Sequence, residues 1–167
     1  MVEIERKYII EKPDMERLRV LPGFSESEIV QIYVESARNV THRVRSRETD
    51  GKTVYTETKK QRIDKMSALE DEHEISREQF ISISAGIKEG TSPINKVRYT
   101  FIANEKLFEV DVYPQWKKTC ILEIELSDRE ENVILPSFIK VIEEVTGNRA
   151  YSNASMARSF PKESVCQ

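Results

Sequence analysis

Acidic and basic side chains recur two residues apart along this chain, and each such row carries mainly one sign. Glu3, Glu5 and Lys7 alternate with Val2, Ile4, Arg6 and Tyr8. Glu123 and Glu125 alternate with Cys120, Leu122, Ile124 and Leu126. Glu109 and Asp111 oppose Phe108, Val110 and Val112, and Lys96 and Arg98 oppose Val97, Tyr99 and Phe101. Arg43, Arg45 and Arg47 share a face, as do Glu72 and Glu74. A period of two is the period of a β-strand, so each row occupies one face of its strand. Two like charges about 6 Å apart repel by roughly 3 kcal/mol at an effective dielectric near 20. Like charges side by side on a solvated sheet destabilise it. One row alone fits an ordinary half-exposed strand. The whole set fits better if a ligand of opposite sign meets it. Arginine and lysine neutralise phosphate oxygens. Paired carboxylates hold Mg2+ or Mn2+. Together they suit a polyanion that carries its own divalent cations.

The elements that must position these rows are mostly strands. Alternation predicts strands over about 2–10, 29–36, 40–48, 52–60, 70–76, 94–103, 106–113 and 119–127. Asp50-Gly51 marks a hairpin turn, and Asn104-Glu105 a weaker one. Short helices are predicted over 13–20 and 149–158. Another is predicted over 76–88, where Ser76 and Gln79 make a capping box. A fourth is predicted over 136–146, with Phe138, Ile142 and Val145 on one side and Gly147 as its stop. The expected class is α+β, mainly antiparallel β: a closed eight-stranded barrel with a few flanking helices. In that barrel the charged faces turn inward and the apolar faces pack against helices outside.

Composition bounds the alternatives. The 167 residues suit one domain, expected over 1–160, with a loose tail over 161–167. Acids and bases nearly balance at a formal charge of -3, which argues against a nucleic-acid binder working by bulk positive field. Cys120 and Cys166 make neither a disulfide framework nor a zinc spacing, so a reducing cytoplasm is expected. No apolar run approaches the roughly 20 residues of a membrane span, so no membrane partner is expected. Outward apolar strand faces leave room for a homodimer. His42 and His73 have the parity opposite to the charged rows and read as outward or packed. Trp116 reads as a packing residue, Tyr113 as either packing or lumenal, and Lys117-Lys118 as a solvated loop.

Glu3-Ile4-Glu5-Arg6-Lys7 has the form E-x-E-x-K, and it is followed in order by Arg43-Val44-Arg45, Lys59, Glu72-His73-Glu74, Lys96-Val97-Arg98, Glu109-Val110-Asp111 and Glu123-Ile124-Glu125. This series resembles the motifs of the CYTH, or triphosphate tunnel metalloenzyme, family over almost the whole chain. Arg149, Tyr151 and Asn153 resemble its C-terminal plug. The opening motif is moderately specific, and each later tripeptide is weak alone. The shared order and strand parity carry the resemblance. Three features depart from the pattern: Ile32 stands where many relatives have glycine, Glu57 shares a face with Lys59, and Arg47 lengthens the basic row.

The resemblance implies a metal-dependent enzyme acting on a small-molecule triphosphate. Lys7, Arg43, Arg45, Lys59, Lys96, Arg98 and Arg149 would bind the phosphates. Glu3, Glu5, Asp111, Glu123 and Glu125 would hold Mg2+ or Mn2+, with Glu72, Glu74 and Glu109 as supporting acids. Glu5, Lys7, Arg45 and Glu125 would carry catalysis. Inorganic triphosphate is the leading substrate. A class IV-type adenylate cyclase, a thiamine triphosphatase and a nucleoside or RNA triphosphatase are the alternatives within the family. Cyclase ranks second, because the cyclase members carry extra sequence and a histidine ahead of this motif. A non-catalytic polyphosphate- or nucleotide-binding module is the alternative from another class. The acidic rows argue against that module, since binding an anion needs only the basic ones.

Overall fold

The computed structural model describes residues 1–164, so Cys166 lies outside the described residues. The alternating segments form β1 (Val2–Glu11), β2 (Ser25–Val34), β3 (Val40–Thr49), β4 (Lys52–Arg62), β5 (Ser67–Ile75), β6 (Ile94–Ala103), β7 (Lys106–Val112) and β8 (Thr119–Glu125). These eight pair antiparallel in the order β5-β4-β3-β2-β6-β7-β8-β1, and β1 closes back onto β5. The hairpin turns fall where the sequence places them. Asp50 and Gly51 both adopt positive φ, as do Asn104 and Glu105.

Helices α1 (Met15–Arg19), α2 (Arg77–Ser84) and α3 (Asn153–Met156) flank the barrel, and a single 3-10 turn spans Arg149–Tyr151. The capping box of Ser76 and Gln79 is present at the start of α2. No helix among the described residues is long and apolar enough to cross a membrane.

The expected helix over 136–146 is absent. A ninth strand, β9 (Val141–Glu144), runs antiparallel to β1 there. Its β-branched Val141 and Ile142 suit a strand, and β1 offers it an unpaired edge. Val2–Ile4 of β1 pair with β5, and Tyr8–Ile10 pair with β9. Between them, Glu5 N donates to Met66 O at 3.0 Å and Val145 N donates to Lys7 O at 2.8 Å. The β4–β5 turn is tied to the chain beyond β9, because Arg62 Nη2 donates to Gly147 O at 2.8 Å. Gly147 sits at φ +75°, where a Cβ would come within 2.9 Å of Lys65 O, so glycine is required there.

Two apolar clusters hold this frame. Outside the barrel, Tyr8, Ile10, Phe101, Phe108, Val110, Leu122 and Ile124 pack with Leu18 and Ile139. At one end, Tyr33, Ile94, Tyr113, Trp116, Ile121, Met156 and Ala157 form the second cluster, which draws in the C-terminal segment. Trp116 is a packing residue there, and its Nε1 donates to Pro161 O at 3.0 Å. Tyr113 is buried, with its hydroxyl donating to Asn153 Oδ1 at 2.8 Å. The tail expected to be loose over 161–167 is held at its start, where Glu163 accepts from Thr119 N at 2.8 Å; residues 165–167 lie outside the described residues.

Candidate active site

The inward faces of the strands enclose a cavity of about 1320 Å³. Glu3, Glu5, Lys7, Arg43, Arg45, Glu72, Arg98, Glu109, Glu123, Glu125 and Arg149 line it, as the sequence predicts. Four predicted residues behave differently. Lys59 is exposed on the outer face, and Lys60 points inward instead, contacting Glu3 and, at 3.4 Å, Glu70. The lumenal face of β4 is Thr58, Lys60 and Arg62, and its outer face carries Tyr55 against Phe80 and Glu57 between His42 and His73. The odd pairing of Glu57 with Lys59 was the sign that this row faces out. Glu74 has the lumenal parity but stands exposed beyond the cavity, and Glu70 takes the inner place.

The other two corrections concern Lys96 and Asp111. Both side chains are fully buried, and neither lines the cavity. Asp111 accepts from Lys96 Nζ at 2.6 Å and from Arg98 Nε at 2.7 Å. Its carboxylate is spent on these two cations, so it is not a free metal ligand. Arg98 also reaches Glu123 at 3.2 Å, and Lys7 reaches the same carboxylate at 3.0 Å. Despite burial, Lys7 and Arg98 hold Glu123 well below the usual carboxylate range. Despite burial, Glu123 and Glu5 hold Lys7 above the usual lysine range. Burial pushes Lys96 down to about 7; Arg98 and Arg45 add to this, while Asp111 opposes it.

Arg45 is not neutralised in this way. Arg45 gives both its Nε and its Nη2 hydrogen bonds to Gln31 Oε1, at 3.0 and 2.6 Å. No carboxylate lies in ion-pair contact with it among the described residues. Burial, with repulsion from Arg43 and Arg98, lowers Arg45 to about 10. A buried guanidinium disfavoured in this way is stabilised by an incoming anion. Gln31 is fully buried, and its Nε2 donates to Tyr33 Oη at 3.2 Å. Neither Gln31 nor Tyr33 stood out in the sequence, because neutral side chains leave no charged row.

The acids across the lumen show the converse. Glu5 lies directly opposite Glu125 in the β1–β8 register. Burial, then the charge of Glu123, raises Glu5 above the usual carboxylate range. Lys7, at 3.8 Å from Glu5, offsets this in part, and carboxylate oxygens of this kind are ones a hard divalent cation takes. No three His, Cys, Asp or Glu side chains among the described residues are placed to hold an ion unaided. Mg2+ ordinarily takes one or two carboxylates and completes its shell with water and phosphate oxygens. The donor set therefore fits an ion that arrives with a phosphate ligand.

A closed eight-stranded antiparallel barrel with acidic and basic rows turned onto one lumen is the architecture of the triphosphate tunnel, or CYTH, barrel. No family model and no curated protein matches the chain, but solved structures do. The inorganic triphosphatase NE1496 is similar over 95% of this chain and 96% of its own, with 26% identity and a TM-score of 0.59. The PH1819 protein of Pyrococcus horikoshii OT3 shares the fold over 76% of this chain and 80% of its own, with 20% identity and a TM-score of 0.60. The PH1012 protein of the same organism does so over 77% and 81%, with 23% identity and a TM-score of 0.53.

Proposed function

We propose that the lumen binds a triphosphate together with Mg2+ or Mn2+ and hydrolyses it, with inorganic triphosphate as the preferred substrate. One observation carries the reading. Arg45, a cation without a carboxylate partner among the described residues, faces the same cavity as Glu5, whose carboxyl burial and the charge of Glu123 disfavour in its ionised form. A metal–triphosphate complex satisfies both at once. The likeness to an inorganic triphosphatase along nearly the whole of both chains supports the choice of substrate.

In this reading Arg43, Arg45, Lys60 and Arg98 bind phosphate oxygens, and Lys7 adds a charge held firmly on. Arg149 reaches the cavity from beyond β9. Glu5 and Glu125, with Glu3 beside them, hold the cation. A divalent ion bound there would neutralise phosphate oxygens and make a bound water more acidic. The loose transition state spreads charge over the phosphoryl oxygens, so fixed guanidinium groups favour it over the ground state. Glu123 and Asp111 keep Lys7 and Arg98 aimed.

The test is a panel of triphosphate, ATP, thiamine triphosphate and pyrophosphate, each with Mg2+ or Mn2+, with products identified. Triphosphate converted to phosphate and pyrophosphate is the expected result. Cyclic AMP from ATP, or no turnover of any substrate, overturns the proposal.

A further inference from the structure

Beside the lumen lies a second, smaller cleft of about 150 Å³. It shares Tyr33, Val40, Thr41, Ala154 and Ser155 with the wall of the main cavity, so the two are neighbours across one layer of residues. Three segments build it: the β2–β3 connection, the loop before β6, and the end of α3. Backbone bonds fix them together. Lys88 N donates to Tyr33 O at 2.8 Å, and Ser92 N donates to Ala157 O at 2.8 Å.

The cleft is cationic and hydroxylated. Lys88 and Arg158 line it, and among the described residues neither side chain has an ion-pair partner. No Asp or Glu lines it among those residues. His42 also lines it, but its Nε2 meets Glu57 at 2.6 Å, so the uncompensated charge is that of Lys88 and Arg158. The hydroxyls of Ser36 and Thr91 already donate to Val40 O and Lys88 O, whereas Thr41 adds a further hydroxyl. Clefts that bury organic ligands run to about 300–1,000 Å³, so this one suits a small ion rather than a nucleotide.

We propose that this cleft is a second anion site, which takes inorganic phosphate beside the lumen. Lys88 and Arg158 supply the charge and Thr41 a hydrogen bond. The site rests on this cleft alone and stands whether or not the lumen turns over triphosphate. Its place on the shared wall makes it a holding point for phosphate near the lumen.

Calorimetric titration of inorganic phosphate, without metal and in 150 mM NaCl to screen loose surface attraction, tests it. The variant Arg43→Gln/Arg45→Gln/Lys60→Gln strips most of the lumenal phosphate cations and should keep one phosphate site. Adding Lys88→Gln and Arg158→Gln should weaken that site at least tenfold. An affinity unchanged by these two substitutions, or no binding in the first variant, overturns the proposal. Arsenate soaked into wild-type crystals gives a reading that needs no variant. Anomalous density between Lys88 and Arg158 supports the site, and density confined to the lumen refutes it.

Discussion

The two halves of the charged lumen are built from the same kind of sequence and do opposite things. On the β6–β7–β8 wall, Lys96, Arg98, Asp111 and Glu123 neutralise one another, and Lys7 joins from β1. On the β2–β3 wall, Arg45 has Gln31 for a partner, while at the β1–β8 pair Glu5 lies opposite Glu125 in register. An i, i+2 pair of charges becomes a strut where opposite signs interleave between strands. It becomes a ligand donor where one sign meets itself. The difference teaches that charge rows alone mark a lumen, and that cross-strand neighbours decide which members are available.

Substitutions can break that contrast. On the neutralised wall, Asp111→Asn leaves the buried Lys96 without a carboxylate and should cost about 3–5 kcal/mol of stability, read by urea denaturation. A midpoint equal to wild type would mean that the wall is not a strut. On the open wall, Arg45→Gln should lower triphosphate turnover by about 10²–10³-fold. The denaturation midpoint should hold or rise, because a repelled buried cation is removed. Loss of folding in that variant would erase the distinction. Lys60→Gln should weaken triphosphate binding about tenfold, as for one charge-assisted hydrogen bond, whereas Lys59→Gln should leave it alone. Equal effects would put both lysines on one face. The smallest effect lies outside both walls. Glu131 is drawn down to about 2 by hydrogen bonds from Lys106 and the Ser127 backbone. A carboxylate with a lowered folded pKa stabilises above its unfolded value, near 4.5, and that stability is lost as pH falls through about 2. Glu131→Gln should flatten the acid side of a melting-temperature profile slightly and leave the neutral side unchanged.

The strands and most of the lumen were readable from alternation, because a period of two survives whatever the strand pairs with. The failures have physical causes. In β4 the lumenal residues include Thr56 and Thr58, which carry no charge, while the outer face carries Glu57 and Lys59 held by histidines and solvent. Both faces of β4 thus carry charge, and Lys59 and Lys60 are adjacent, so the sequence alone does not tell which lysine turns inward. β9 reads as helical because its apolar spacing also fits a helix, and only the free edge of β1 decides the matter. Asp111 shares its motif with Glu109, and nothing local tells that Lys96 and Arg98 lie across from it.

The divided pairing of β1 bears on when this protein becomes competent during synthesis. The strand carrying Glu3, Glu5 and Lys7 is made before its neighbours, which are residues 67–69 on one side, 119–125 on the other, and 141–144 farther along. Such distant partners make closure a late event. Until β9 has emerged, Lys7 lacks the wall that Thr146 and Val145 provide, and the acidic strand stays in water. A nascent chain would hold no half-formed lumen, since the pocket comes into being only as the ring shuts.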